Sequence, residues 1–371
     1  MKKVLIANRG EIAIRIARTC NDLGLKTVGI YSEDDANSLH LSKVDEAYKI
    51  DEKGAQAYLD IKEIIRIAKE SKADAIHPGY GFLSENSLFA SAAKRAKIKF
   101  IGPNERTLKI FGDKTSAKEL ASSLNIPVIA GTHEKTSIRK AQSFMKSLKK
   151  NSSVVIKAIS GGGGRGMRVV SKIDDLKESF DRAASEAKAS FDSPDLYLEE
   201  YLKNYRHIEF QIIGDGTGGV SHLHERECSI QRRHQKLIEI APSPSLDLEL
   251  KNKMVEASLA LTQKLKYEGL ATIEFLVNVE KNDYRFIECN PRLQVEHTVT
   301  ESVLSLDIVK AQIQVASGKT LKQIKLEQKN VPEPKGYAIQ SRVNMETIDS
   351  KGNANPGGGI FEKFDLPSGP G

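Results

Sequence analysis

The chain has 371 residues, 39% of them hydrophobic and 28% charged, enough apolar mass for two or three domains. Its 27 glycines follow no triplet period, and no window approaches the roughly 20 consecutive apolar residues of a bilayer span, so collagen-like and helical membrane readings are excluded. The net charge of +7 comes from lysines and arginines spread along the chain, with no Trp and few aromatics, which argues for an ordinary basic surface and against a nucleic-acid platform.

In chain order, residues 4–7 read as a buried strand and 11–23 as a helix whose apolar positions Ile12, Ile16 and Leu23 recur at helical spacing. A second strand, 26–31, follows the helix-stop signal at Gly24. A helix over 61–71 and a strand over 73–76 repeat the alternation, so a first domain, 1–111, is expected to be α/β, a parallel Rossmann-like layer. Gly10 stands alone at the first strand-to-helix turn, without the three spaced glycines of a dinucleotide fingerprint. The apolar run at the N-terminus stops at Asn8, too short for a secretory signal. Cys20, Cys228 and Cys289 lack CxxC spacing, so a cytoplasmic, reducing location is expected.

A second domain, 112–330, opens with a helix over 114–121 that Ile126-Pro127 terminates. Between about 130 and 202 come a helix (138–148), a strand (153–159), a glycine loop (160–166), a strand (167–170), a helix (176–189) and a strand (196–201), together the size of a small mobile lid. Antiparallel strands over 206–213 and 219–225, a helix over 248–265 and strands over 272–279 and 284–290 follow. Pro332 and Pro334 lead to a strand over 336–344, and the Pro- and Gly-rich tail after 353 ends in turns. The span 331–371 therefore reads as the beginning of a third domain, cut short.

Gly161, Gly162, Gly163, Gly164 and Gly166 form a loop between two strands. No helix follows it, and Met167 stands where a Walker lysine would be. Such a loop is a flap whose bare amides can close over phosphates. Lys157, in an otherwise apolar strand, needs a negative partner, and nucleotide phosphate supplies one. Glu274 and Glu288 each interrupt an apolar strand, with Asn290 on the same face as Glu288; paired as a hairpin, they suit magnesium. Read as an extended segment, Arg292, Gln294 and Glu296 share a side, a cradle for a small oxyanion with a base beside it. The run 225–236 is dense in charge and by itself reads as a solvated loop; His222 and His224 lack a third ligand for zinc.

In order along the chain, ANRGEIAIRI (7–16), HPGYGFLSEN (77–86), FIGP (100–103), GDKTSAK (112–118), IKAISGGGGRGMRVV (156–170), RHIEFQI (206–212), ERECSIQRRHQKLIEIAP (225–242) and FIECNPRLQVEHTVTE (286–301) resemble the biotin carboxylase family of the ATP-grasp superfamily. The resemblance covers essentially the whole chain. It implies a Rossmann-like N-terminal domain, an ATP-grasp domain with a mobile lid and an α+β C-terminal domain, and carboxylation of biotin on a carrier protein from ATP and bicarbonate. By motif match, Lys114, Lys157 and the flap would bind nucleotide phosphates, Glu199, Tyr201 and Leu202 would lie at the adenine hinge, and His207, Gln231 and His234 would face ribose and phosphates. Glu274, Glu288 and Asn290 would hold magnesium or manganese. Lys236, Arg292, Gln294 and Val295 would hold bicarbonate, Glu296 would be the base, and Arg342 would stabilise the biotin enolate.

Glu200 and Gln340 depart from the commonest family residues and bear on the branch rather than the chemistry. The resemblance implies a biotin carboxyl carrier, a carboxyltransferase and a homodimer as partners, with neither nucleic acid nor membrane. An acyl-CoA carboxylase of acetyl-CoA or propionyl-CoA type is the leading reading. The alternatives are a pyruvate or urea carboxylase, another ATP-grasp ligase such as half of a carbamoyl phosphate synthase, or a nucleotide-dependent module that only docks a carrier.

Overall fold

The structure, a computed structural model, describes residues 1–132, 134–149, 152–159, 167–232, 235–350, 354–358 and 362–365. The N-terminal part alternates β1 (Lys3–Ile6), α1 (Gly10–Asp22), β2 (Lys26–Tyr31), β3 (Glu46–Lys49), α2 (Ile61–Glu70), β4 (Ala75–His77), α3 (Ser87–Arg95) and β5 (Lys99–Phe100). The five strands form one parallel sheet in the order β3-β2-β1-β4-β5, so the chain reverses its direction of build at β1 and β4. In such sheets the crevice beyond the carboxyl ends of those two strands is where ligands and neighbouring domains fit. Here the Asn8 amide, just past β1, donates to the carbonyls of Pro78 and Tyr80 at 2.8 Å each. Gly79 lies between them at φ +64°, where a Cβ would come within 2.8 Å of that amide, so the position requires glycine. Asp60 and Asn86 cap α2 and α3 by accepting the amides of Glu63 and Phe89.

Next come α4 (Glu105–Gly112) and α5 (Lys114–Ser123), the latter capped by Asp113, and then a separate layer of α6 (Ile138–Ser147), β6 (Ser153–Ala158), β7 (Arg168–Val170), α7 (Leu176–Phe191) and β8 (Leu196–Tyr201). Its antiparallel sheet, β7-β6-β8, carries α6 and α7 over a core of its own that includes Val154, Ile156, Leu176, Ala183 and Leu198. An independent core is what a lid needs to move as a body.

The centre is β9 (Arg206–Asp215), β10 (Val220–Arg232), β11 (Gln235–Ala241), α8 (Leu248–Lys264), β12 (Glu268–Asn278), β13 (Asp283–Asn290), α9 (His297–Leu304) and α10 (Ile308–Ala316). With β14 (Ala338–Ser341), its strands make a six-stranded sheet in the order β13-β12-β9-β10-β11-β14. β15 (Glu346–Ile348) and β16 (Ala354–Pro356) form a small hairpin.

Two expectations change. The charge run from 225 is no solvated loop: β10 continues to Arg232, with Glu225, Arg226 and Glu227 buried at 3%, 0% and 6% exposure. These charges are tolerated inside because each is paired, Glu225 with Lys251, Arg226 with Glu209 and Glu227 with Arg206. The strand expected over 336–344 shortens to Ala338–Ser341, the four residues that pair with β11. Among the described residues no helix is long and apolar enough to cross a membrane.

Candidate active site

The sheet gathers carboxylates at one spot. His207, Glu209 and Gln211 interrupt the apolar strand β9 at alternate positions and therefore share a face. Glu274 is the register partner of Glu209 across the ladder between β9 and β12, and of Glu288 across the ladder between β12 and β13, where Thr272 pairs with Asn290. The hairpin foreseen for Glu274, Glu288 and Asn290 thus exists, and Asn290 Nδ2 donates to Glu274 Oε1 at 2.7 Å. Like charges placed directly opposite repel, so the Glu274–Glu288 pair, two carboxylates with an amide beside them, has the donor chemistry of a hard divalent cation.

Lys236, near the start of β11, brings one ammonium to three of these groups: Glu209 Oε2 at 2.5 Å, Glu296 Oε1 at 2.7 Å and Glu274 Oε1 at 3.0 Å. Burial alone would push its pKa down, but Glu209 and Glu274 outweigh burial and hold it well above the ordinary lysine value. The same charges act in reverse on the acids. Burial favours a neutral Glu209, yet Lys236 and Arg226 bring it down to about 2, and Glu274 is likewise lowered, against its burial, by Lys236 and His207.

His207 is oriented from both sides. Gln231 donates its amide to Nδ1 at 2.8 Å, which leaves the proton on Nε2, directed at Glu274 Oε2 at 2.7 Å. Arg342, the residue after β14, donates to Glu239 Oε1 at 2.6 Å and to Glu296 Oε2 at 2.9 Å. Glu239 is fully buried, and burial pushes its carboxyl up against the opposing pull of Arg342.

The row expected from Arg292, Gln294 and Glu296 is only half present. Arg292 donates to Gln294 Oε1 at 3.0 Å and to Asn290 Oδ1 at 3.3 Å, and its Nε meets Glu85 of the N-terminal part. Glu296, however, stands at the N-cap position of α9 without bonding its amides, and the turn over Val295 and Glu296 redirects its carboxylate to Lys236 and Arg342. Strand alternation does not extend through a helix start, which is why that part of the expectation fails.

A second cluster lies at the base of the lid. Lys157 on β6 donates to Glu199 Oε2 on β8 at 2.5 Å, and Lys118 on α5 is ion-paired with the other oxygen of the same carboxylate. Lys114, one turn earlier on α5, lies against Tyr197. Burial, reinforced by the neighbouring lysines, draws Lys157 down to about 8 and Lys118 to about 7, while Glu288, and the Glu199 carboxylate seated between the two ammoniums, oppose both shifts and favour the charged forms. Tyr201 ends β8 and Leu202 follows it. Gly161, Gly162, Gly163, Gly164, Gly166 and His234 lie outside the described residues.

The sequence reading missed Glu209, Arg226 and Lys118. Glu209 carried the same signal as Glu274, an acid inside an apolar strand, and Lys118 lies four residues from Lys114 on one helix face. Arg226 had no such signal. It is fully buried and donates to Glu209 at 2.5 Å, to Gln211 and Thr300 at 2.9 Å and to Thr272 at 3.2 Å.

Residues 1–108 match the family model of the biotin carboxylase N-terminal domain, and residues 113–324 that of the carbamoyl-phosphate synthase L chain ATP-binding domain. The biotin carboxylase domain of a 2-oxoglutarate carboxylase from Hydrogenobacter thermophilus, a dimer solved with MgADP, ADP and bicarbonate, superposes with a TM-score of 0.92 at 41% identity, over 99% of this chain and 80% of that one. The chain belongs to the biotin carboxylase family, a family of ATP-dependent ligases. Among curated relatives, the pyruvate carboxylase of Bacillus subtilis is 50% identical over 93% of this chain, and human mitochondrial pyruvate carboxylase 47% identical over 98%. This biotin carboxylase chain spans 30% and 31% of their lengths.

Proposed function

We propose that the chain carboxylates biotin on a carrier protein or domain, using ATP and bicarbonate, as the first half-reaction of a 2-oxo-acid carboxylase of the pyruvate carboxylase kind. The observation that carries this reading is the Lys236 cluster, in which one ammonium is shared by Glu209, Glu274 and Glu296 while Arg342 holds the second oxygen of Glu296. Sequence motifs alone point to an acyl-CoA acceptor. Relatives that are pyruvate carboxylases, and a structural neighbour from a 2-oxoglutarate carboxylase, favour the 2-oxo-acid alternative instead.

In this reading Lys114, Lys157 and the glycines of the flap take the nucleotide phosphates, Glu199, Tyr201 and Leu202 flank the base, and His207, Gln231 and His234 face ribose and phosphates. Glu274, Glu288 and Asn290 hold magnesium or manganese, whose charge offsets that of the phosphoryl group in transfer. Lys236, Arg292, Gln294 and Val295 hold bicarbonate. Glu296 removes its proton as a bicarbonate oxygen attacks the γ-phosphorus and ADP departs, giving carboxyphosphate. Carboxyphosphate releases carbon dioxide and phosphate; the phosphate takes the ureido proton of biotin, and Arg342 stabilises the enolate that then attacks carbon dioxide. Because carboxyphosphate hydrolyses readily, closure of the lid serves to keep water out.

The same reading divides the chain into domains at 1–111, 112–330 and from 331 onwards, and assigns as partners a biotin carrier, a carboxyltransferase and a second copy of the chain. The family matches over 1–108 and 113–324 and the dimeric neighbour support it.

The test uses the full-length protein with ATP, labelled bicarbonate and, in separate reactions, pyruvate, 2-oxoglutarate, acetyl-CoA, propionyl-CoA and urea. Acid-stable label is expected with a 2-oxo acid. Label with an acyl-CoA or urea alone would overturn the acceptor, and biotin-independent, ammonia-dependent turnover would move the chain to carbamoyl phosphate chemistry.

A further inference from the structure

Lys118 has no place in the scheme above, yet it is one of the most deeply buried lysines among the described residues, at 4% exposure, and it shares its carboxylate partner with Lys157. Its partner Glu199 is 2% exposed and bridges two lysines, with Oε1 on Lys118 and Oε2 on Lys157. The ring of Tyr197, the register partner of Lys157, lies 5.7 Å from the Lys118 ammonium and closes the cluster.

The arrangement poses a problem for phosphate binding. A Lys157 ammonium committed to a buried carboxylate is not available to a phosphate, and withdrawing it would leave that carboxylate uncompensated unless a second cation were present. Lys118 is that second cation, already seated on the other oxygen.

We propose that Lys118 is a positioning residue that keeps Glu199 neutralised, so that Lys157 exchanges Glu199 for a nucleotide phosphate at little cost. The proposal rests on the nucleotide reading of this site and adds to it a two-lysine exchange around one carboxylate. Lys118 does not touch the nucleotide: when Lys157 turns to the phosphate, the Lys118–Glu199 pair stays behind as a neutral unit. Without Lys118, Glu199 retains Lys157, and affinity falls although every group that touches nucleotide is still present.

Calorimetric titration of the full chain with MgADP, alongside steady-state kinetics in ATP, tests this. Lys118→Met is expected to weaken ADP binding and raise the KM for ATP by about tenfold or more, with a smaller change in kcat, while Lys118→Arg, which keeps the pairing, stays within about threefold of the parent. The decisive variant is Lys118→Met combined with Glu199→Gln. It removes both buried charges together, so it folds even where the single change does not, and it leaves Lys157 nothing to be held by. Its ADP affinity is expected within about threefold of that of Glu199→Gln alone, because without the carboxylate Lys118 has nothing left to act through.

The proposal is overturned if Lys118→Met binds ADP as tightly as the parent, or if the double variant is about tenfold weaker than Glu199→Gln alone. A parent chain that bound no ADP at all would instead remove the nucleotide reading itself, an outcome distinct from either.

Discussion

The two charged clusters of the site are built from the same residue types with opposite balance. Around Lys236 the acids outnumber the bases: Glu209, Glu239, Glu274 and Glu296 face Arg226, Lys236 and Arg342. At the base of the lid the bases prevail, with Lys118 and Lys157 sharing Glu199 and Lys114 close by. Lysine reports the difference. Both Lys157 and Lys236 lose water, but Lys236 ends well above its ordinary pKa whereas Lys157 is lowered to about 8. An acid-rich pocket suits a cation and a base-rich one an anion, the charges that the proposed magnesium and nucleotide phosphates would bring, with Lys236 left as the cation for bicarbonate.

The largest effect is expected from Lys236→Met, which strips the shared cation from three buried carboxylates. Removing one partner of a buried ion cluster costs about 3–5 kcal/mol, so a lower denaturation midpoint should accompany the loss of turnover. Unchanged stability would mean that the cluster does not need its lysine. Next comes Glu296→Gln, for which bicarbonate-dependent ATP turnover is expected to fall by roughly 10²–10⁴-fold while MgADP affinity stays near that of the parent. A comparable loss of nucleotide affinity would show that the two clusters are not separate in function.

The third effect is a pH dependence confined to the lid cluster. With Lys157 drawn down to about 8 and Lys118 to about 7 in the free protein, and a bound phosphate able only to raise those values, nucleotide binding takes up protons as the pH rises through that range. ADP affinity should therefore weaken between pH 7 and pH 9, by at most about tenfold per pH unit for each proton taken up, with the uptake visible as a dependence of the binding heat on buffer ionisation. The smallest effect belongs to exposed pairs outside both clusters, such as Lys177–Asp181 on α7, where Lys177→Ala should leave both the denaturation midpoint and the nucleotide affinity unchanged.

The sequence made the parallel N-terminal layer legible because strand and helix alternate there with clean periodicity, and β1, α1 and β2 fall within a residue of where the apolar pattern puts them. It made Glu274, Glu288 and Asn290 legible because a charged residue in an apolar strand stands out. Glu296 was legible as a residue but not as a position, since the turn into α9 is invisible to strand alternation. Arg226 was hidden for a different reason: in a run as charged as Glu225–Arg232, one fully buried arginine looks like its neighbours, and only the partners brought by β9, β12 and α9 distinguish it. Lys118 was masked by Lys114 and by an ordinary helical surface pattern.

The direct test of the chemistry follows the oxygen atoms. With bicarbonate labelled in its oxygens, ATP and free biotin, attack of bicarbonate on the γ-phosphorus leaves one labelled oxygen in each phosphate released. The account predicts labelled phosphate from the parent chain and its loss, together with turnover, in Glu296→Gln; phosphate whose new oxygen comes only from solvent would contradict it.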